Sequence, residues 1–305
     1  MRTHNNWTKR DTIRAGVALA ASPTLTFAEE TAMLTRPIPT SGAQLPVIGL
    51  GTYNVFDVES SEDELAPRRA IVNLMIEKGA RLIDSSPMYN RAEKVVGDIV
   101  SQDALRDKLF LATKVWTNGK ASGERQMQAS ADLTQAGVID LMQVHNLQDL
   151  DVQMQTIREW QQQDRIRYNG ITDYRASALG ELEAAMRKHR PQFIQINYSM
   201  GETEAERRVL PLATELGIAV LVNRPFMAGS LFRAVRGRSL PDWAAPFAAS
   251  WGQFFLKFIV SHTAITAAIP ATSNVQHMTD NLGAGFGEVP DSAMRQKMAD
   301  FFASL

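Results

Sequence analysis

The chain has 305 residues, of which 45% are hydrophobic and 21% are charged, the proportions of a globular protein with a sizeable core. Its formal net charge of −1 gives no electrostatic reason to expect a nucleic acid or an anionic membrane as a partner. It contains no cysteine, which excludes disulfides, zinc-thiolate sites and thiol nucleophiles.

The first 28 residues have the pattern of an export signal. A basic segment, residues 8–14, precedes a run of small, weakly apolar residues, 15–21, that is too short to span a bilayer. Residues 26–28 then offer small side chains where a signal peptidase reads them. The order is similar to a twin-arginine signal, with Lys9 in place of the first arginine. We predict a signal peptide over residues 1–28, which engages the export machinery, and a periplasmic protein; a cytoplasmic protein is the alternative.

From residue 36 onward, short runs rich in Val, Ile and Leu alternate with segments of helical periodicity. Apolar residues three or four apart predict helices between the runs, and a last helix is predicted near the end of the chain. A long connection is predicted over residues 226–261. The predicted strands are residues 47–53, 81–86, 108–114, 140–146, 165–174, 193–199, 217–226 and 265–272. The predicted helices include residues 69–79, 91–102, 176–189, 205–217 and 291–304.

Eight strand-helix units in roughly 270 residues match a (β/α)8 barrel, whose usual size is ~250 residues. We predict this α/β fold, the TIM barrel, as a single domain over residues 36–305. A doubly wound open sheet is the alternative. It is less favoured because VIGLGTYNV, at the first predicted strand, has two glycines but no third glycine opening a helix.

Four titratable side chains of four types end or follow successive predicted strands. Asp84 and Tyr89 follow the second strand, Lys114 ends the third and His145 ends the fourth. Because active sites of this fold lie at the carboxyl ends of the strands, we expect these side chains to meet. Each one alone also has an ordinary structural interpretation, such as a helix cap or a solvated charge. No metal-ligand spacing accompanies them, so no metal site is predicted.

Seven motifs carry a family resemblance: LPVIGLGTY, IDSSPMY, FLATKVW, DLMQVHN, GITDY, QINY and IPATSNVQHMTDNLGA. On these motifs the chain resembles the aldo-keto reductases. The resemblance implies reduction of aldehydes or ketones with a nicotinamide cofactor, and it makes Asp84, Tyr89, Lys114 and His145 the catalytic tetrad. In that scheme Tyr89 is the general acid, and Lys114, kept charged by Asp84, lowers the pKa of Tyr89. His145 is expected to donate a hydrogen bond to the substrate oxygen.

The resemblance also implies NADP(H) as the cofactor, with NAD(H) as the alternative because few charged residues follow the last strand. Thr172, Asp173 and Gln195 match residues that hold the nicotinamide carboxamide. Tyr53 and Trp116 are expected to line the pocket of a small carbonyl substrate. We expect a monomer, and a catalytically silent cofactor-binding sensor or structural barrel is the alternative function. The remaining predicted cofactor contacts are Gly51, Thr52, Asn223, Arg224, Thr272, His277, Asp280 and Asn281.

Overall fold

The computed structural model describes residues 32–102 and 104–305. Residues 32–305 form one compact unit. The predicted signal peptide, residues 1–28, lies outside the described residues. Among the residues that are described, no helix is long and apolar enough to cross a membrane.

Eight parallel strands form the barrel, each paired with the next in chain order. The first and last strands are joined as well, because the Gly49 N–H donates to the Ala268 carbonyl at 2.8 Å and the Ala268 N–H donates to Val47 at 2.9 Å. All eight predicted runs contain a strand, so the predicted (β/α)8 barrel is confirmed. The barrel strands are β3 (Leu50–Gly51), β4 (Leu82–Asp84), β5 (Phe110–Val115), β6 (Ile139–His145), β7 (Ile166–Asp173), β8 (Phe193–Asn197), β9 (Ala219–Asn223) and β10 (Ala267–Ala268).

A short antiparallel hairpin precedes the barrel. It consists of β1 (Thr35–Pro37) and β2 (Gln44–Pro46), and the sequence pattern did not predict it because each strand has three residues. Ile38 and Leu45 of this hairpin pack with side chains of the barrel interior, among them Leu82 and Leu141. The hairpin therefore covers the end of the barrel where the strands begin.

Helices cover the outside of the barrel, and their polar residues face away from it. Gly79 and Gly217 stand just after the ends of two helices and take positive φ angles of 84° and 63°, a conformation that glycine adopts without strain. The helices are α1 (Glu62–Glu77), α2 (Ala92–Gln102), α3 (Lys120–Thr134), α4 (Leu150–Gln162), α5 (Leu179–His189), α6 (Val209–Leu216), α7 (Ser230–Ala234), α8 (Trp251–Val260), α9 (Val275–Gly283) and α10 (Ser292–Ala303).

The prediction of one long connection over residues 226–261 is wrong, because it contains α7 and α8. Helix α8 has the sequence WGQFFLKFIV, and eight of its ten residues are buried. Its polar residues Gln253 and Lys257 stand four positions apart on one side of the helix, so the sequence carries a helical period that the prediction did not use. Its start is also marked, since the Ser250 side chain accepts a hydrogen bond from the Gln253 N–H as an N-cap.

The barrel interior changes from apolar to polar along the strands. Leu82, Ala112, Leu141 and Phe193 belong to one buried cluster inside the barrel. Because side chains alternate along a strand, the residue two positions later also points inward. Those next residues are Asp84, Lys114, Gln143 and Gln195. A polar layer therefore lies above the apolar one, toward the carboxyl ends of the strands.

Candidate active site

Strand register places the polar residues in rows across the barrel wall. Lys114 pairs with Gln143 between β5 and β6. One step nearer the strand ends, His145 pairs with Thr172, and Thr172 in turn pairs with Gln195. The predicted catalytic and nicotinamide-binding residues thus meet at one end of the barrel.

Lys114 and Asp84 form a buried ion pair. The Lys114 side chain is 0% exposed, and its Nζ lies 2.6 Å from Asp84 Oδ2 and 2.7 Å from the Ser85 carbonyl oxygen. Burial alone would lower the pKa of Lys114, but the charge and hydrogen bond of Asp84 together with those of Tyr89 outweigh burial and raise that pKa above its ordinary value. Lys114 is therefore a permanent cation at neutral pH.

The other oxygen of Asp84 is held by two amides. Asp84 Oδ1 accepts hydrogen bonds from Gln143 Nε2 at 3.1 Å and from Gln195 Nε2 at 2.8 Å. With Lys114 on its second oxygen, the buried carboxylate has three donors. Buried charges are tolerated when they are paired and hydrogen-bonded in this way.

Tyr89 reaches the ion pair from a short turn after β4. Residues Pro87–Tyr89 form one turn of 3-10 helix, which Ser86 caps by accepting the Met88 N–H at 3.2 Å. Lys114 Nζ lies 5.0 Å from the centre of the Tyr89 ring, and the His145 ring lies 6.0 Å from it. The turn therefore brings the phenol, the ammonium and the imidazole together.

The pKa of Tyr89 does not move in the predicted direction. Burial raises this pKa above its ordinary value of 10.0, and the opposing positive charge of Lys114 does not cancel that effect. The expectation of a pKa brought toward neutrality is therefore wrong. Tyr89 is a protonated phenol throughout the neutral range.

His145 is a neutral imidazole with a defined tautomer. Burial and the charge of Lys114 lower its pKa to about 3. Its Nδ1 lies 3.0 Å from Ser86 Oγ. Because Ser86 Oγ already accepts the Met88 N–H, its own hydrogen is free to point at Nδ1. We assign Nδ1 as the acceptor of this hydrogen bond, which places the hydrogen of the neutral ring on Nε2.

The predicted cofactor contacts on or just after β7, β8 and β9 separate into two groups. Thr172 and Gln195 are buried neighbours, and Asn223 Nδ2 lies 3.4 Å from Gln195 Oε1. Asp173 is buried too, but both of its carboxylate oxygens accept hydrogen bonds from Arg175. Arg224 is exposed, and its guanidinium lies 5.5 Å from the centre of the Tyr174 ring. Thr172, Gln195 and Asn223 therefore converge, whereas Asp173 and Arg224 have local partners.

Four of the remaining predicted cofactor contacts lie just before α9 or on it. Thr272 Oγ1 accepts the Asn274 N–H at 3.1 Å, and Asn274 Oδ1 accepts the N–H of His277, which is exposed. Asp280 accepts hydrogen bonds from Ser250 Oγ at 2.6 Å and from Gln253 Nε2 at 3.0 Å. Asp280 thus ties α9 to α8. Asn281 is buried on the same helix.

Gly51 and Thr52 lie where the barrel closes. A Cβ atom on Gly51 would come within 2.9 Å of the Ile269 carbonyl oxygen, so only glycine fits beside the last strand. The Thr52 hydroxyl lies 3.0 Å from the Asp84 carbonyl oxygen and is completely buried. Both residues therefore shape the wall next to Asp84.

Aromatic side chains surround the mouth of the site. Tyr53 and Trp116, the predicted pocket residues, are 57% and 43% exposed, and the Tyr53 ring packs edge-on against Tyr89 at 5.0 Å. Tyr174 follows β7 at the same end of the barrel and is 44% exposed, although the sequence analysis did not select it. Large exposed aromatic groups beside a buried polar site are typical of a pocket for a small organic molecule.

Comparison with known proteins identifies the family. Residues 47–297 match the model of the Aldo/keto reductase family. The chain belongs to this family. It is accordingly an oxidoreductase that reduces carbonyl groups with a nicotinamide cofactor. The methylglyoxal reductase YeaE of Escherichia coli (strain K12) is 27% identical over 247 residues, which cover 78% of this chain and 84% of that protein.

Solved structures agree with the fold. The aldo/keto reductase from Klebsiella pneumoniae in complex with NADP and acetate gives a TM-score of 0.72 at 23% identity, with 86% of this chain and 93% of that chain covered. An aldo-keto reductase from the same organism in complex with NADPH gives a TM-score of 0.74 at 22% identity, with 88% and 96% covered.

Two polar residues of this aldo/keto reductase escaped the sequence analysis. Ser86 contacts His145, and Gln143 contacts Asp84. Gln143 leaves a signal in the sequence, because it is a polar residue between the apolar Met142 and Val144, two positions before His145 and hence on the same face. The contact between Ser86 and His145 joins residues 59 positions apart and has no comparable local signal.

Proposed function

We propose that this protein reduces aldehydes with NADPH and that Tyr89 is the proton donor. The observation that carries the proposal is the position of the protonated Tyr89 phenol beside the fully buried ion pair of Lys114 and Asp84. A solvated lysine would stabilise a nearby phenolate only weakly. A lysine removed from water acts through a lower effective dielectric constant.

Tyr89, Lys114 and His145 have separate roles at the carbonyl oxygen of the substrate. The cofactor, when bound, supplies a hydride to the carbonyl carbon. As the C=O double bond becomes a single bond, the Tyr89 hydroxyl gives its proton to the oxygen, and the product is a neutral alcohol. An alkoxide is a stronger base than a phenolate, so a tyrosine with a raised pKa still donates. Lys114 stabilises the phenolate that remains, and His145 Nε2–H donates a hydrogen bond to the same oxygen.

The side chains present fit a nicotinamide cofactor. Asn223 Oδ1, beside Gln195, is a buried oxygen without a hydrogen-bond partner in residues 32–102 and 104–305, so the site has an acceptor available for an amide. Around the start of α9, Thr272 and His277 suit the adenosine end, because helix N-termini favour phosphate. We propose NADP(H) as the cofactor, in line with the NADP and NADPH bound to the solved neighbours. NAD(H) is the alternative cofactor. Few cationic side chains lie around the start of α9, so we expect the protein to distinguish NADP(H) from NAD(H) only weakly.

We propose small aldehydes as substrates, with methylglyoxal the first to be tested. The support is that the relative YeaE is a methylglyoxal reductase, together with the position of Tyr53 and Trp116 at the mouth of the site. These aromatic walls are partly exposed, so aromatic aldehydes are the second class to be tested.

Oxidation of NADPH and NADH by the full-length protein tests the proposal, with methylglyoxal and benzaldehyde as substrates. Tyr89→Phe is the test variant. Tyr168→Phe is the matched control, because the Tyr168 hydroxyl bonds Ser41 at the opposite end of the barrel. We expect turnover in the wild type and the control, and a loss of roughly 10² to 10⁴ in Tyr89→Phe. An active Tyr89→Phe variant would refute the role of Tyr89. Cofactor binding without turnover in the wild type would favour the alternative function, a catalytically silent cofactor-binding sensor.

We also propose that residues 1–28 form an export signal and that residues 36–305 are the exported, monomeric catalytic domain. The support is the sequence pattern of the segment. Cell fractionation with N-terminal sequencing tests export, and gel filtration tests the monomer. Recovery of only the full-length chain from the cytoplasm would refute export, and a larger assembly would refute the monomer.

A further inference from the structure

A chain of hydrogen bonds runs from the catalytic ion pair to Asn223. Lys114 Nζ bonds one oxygen of Asp84, and Gln195 Nε2 donates to the other at 2.8 Å. Asn223 Nδ2 then lies 3.4 Å from Gln195 Oε1. Asn223 is at the end of β9, where it pairs with Asn197 of β8.

The carboxylate fixes the orientation of both amides in this chain. An ionised carboxylate only accepts hydrogen bonds, so Gln195 must turn its NH2 group toward Asp84 and its oxygen away. The Gln195 oxygen in turn requires a donor, so Asn223 must direct its own NH2 group toward Gln195. Asn223 Oδ1 therefore faces the other way. It is buried and has no hydrogen-bond partner among the residues that the structure describes.

The polarity of this oxygen defines what it can bind. A buried acceptor without a partner is unfavourable, and it selects a ligand that brings an N–H or O–H group. Gln195 and its neighbour Thr172 match residues that hold the nicotinamide carboxamide, so under the proposed function this oxygen lies in the part of the site that takes the nicotinamide ring. The only N–H donors on that ring are those of its carboxamide.

We propose that Asn223 Oδ1 accepts a hydrogen bond from the carboxamide N–H of the cofactor, in an orientation that Asp84 imposes through Gln195. This inference rests on the proposed function, since it requires a nicotinamide cofactor. It makes Asn223 a specificity-determining residue for the amide group. It also links the catalytic carboxylate to recognition of the cofactor.

The test measures dissociation constants by quenching of tryptophan fluorescence in the full-length protein, so it does not depend on turnover. The ligands are NADP⁺ and its 3-acetylpyridine analogue, in which an acetyl group replaces the carboxamide and no N–H is present. The variants are Asn223→Leu and Asn223→Ala, and a circular-dichroism melting curve checks that each is folded. Asn118→Leu is the matched control, because Asn118 is exposed and its oxygen already accepts a bond from Gln148 at 2.7 Å.

We expect both Asn223 variants to bind NADP⁺ about tenfold more weakly than the wild type, as the loss of one buried hydrogen bond predicts. We expect the wild type and the variants to bind the acetylpyridine analogue equally, and the control to bind both ligands as the wild type does. Equal binding of NADP⁺ by wild type and variants would overturn the inference while the proposed function stands. The same tenfold loss with the analogue would also overturn it. Failure of the wild type to bind any nicotinamide cofactor would overturn both.

Discussion

Replacing Lys114 with methionine removes the ammonium while keeping a long side chain in the barrel. The ammonium lies 5.0 Å from the centre of the Tyr89 ring. At an effective dielectric constant of ~20, a unit charge at that distance stabilises a phenolate by about 3 kcal/mol. If the transition state gains this full amount, its loss slows hydride transfer by a factor of about 200. We therefore expect a single-turnover rate about two orders of magnitude lower, measured by stopped-flow absorbance of NADPH.

The same substitution leaves Asp84 as a buried charge with only the two glutamine amides as donors. Breaking a buried ion pair by removing one partner costs roughly 3 to 5 kcal/mol, so Lys114→Met should unfold at lower urea concentration. Adding Asp84→Asn removes the uncompensated charge. We expect the double variant to recover most of the lost stability and none of the lost activity.

The two readouts test separate steps of the reasoning. A Lys114→Met enzyme within tenfold of the wild-type rate would refute the electrostatic role of Lys114. A double variant no more stable than Lys114→Met would refute the assignment of the stability loss to unpaired Asp84. Lys120→Met is the control, because Lys120 forms an exposed pair with Glu159, and it should alter stability by less than about 1 kcal/mol.

Three further outcomes are expected. Tyr89→Phe should bind NADPH as the wild type does but reduce aldehydes roughly 10² to 10⁴ times more slowly, and unchanged turnover would contradict the acid role. Ser86→Ala should lower kcat several-fold, because Nδ1 of His145 loses the hydrogen-bond donor that fixes its tautomer. NMR of ¹⁵N-labelled histidine should then show a mixture of the two His145 tautomers, and a spectrum unchanged from the wild type would contradict this role of Ser86. The rate of reduction should be constant between about pH 5 and pH 9. His145 is neutral above its pKa of about 3, and the reactive phenol of Tyr89 is lost only as the pH rises through a pKa above 10; an inflection near pH 6.5 would contradict this.

Much of the fold could be predicted because the barrel repeats one unit. The alternation of short apolar runs with amphipathic segments is a local signal, and eight repeats made the count reliable. Helix α8 was missed although Gln253 and Lys257, four residues apart in an otherwise apolar stretch, indicate a helical period. The hairpin of β1 and β2 was missed since three residues do not make a recognisable period.

Only those parts of the site that lie at strand ends or in the family motifs could be predicted from the sequence. Asp84, Lys114 and His145 end strands, so the barrel topology alone brings them together. The contact of Ser86 with His145 depends on how a turn returns over the barrel, which no periodicity describes. The direction of the Tyr89 pKa depends on the extent of its burial, and the sequence showed the neighbouring charge without showing the desolvation.

The most direct measurement of the central claim follows a deuterium atom from the cofactor to the product. NADPH carrying two deuterium atoms at C4 of the nicotinamide is mixed with the full-length protein and methylglyoxal, and the alcohol is analysed by mass spectrometry. One deuterium in the new C–H bond, formed by the wild type and by Tyr168→Phe but at least a hundredfold more slowly by Tyr89→Phe, is the predicted result. Bound NADPH without any deuterated alcohol from methylglyoxal or benzaldehyde would contradict the account.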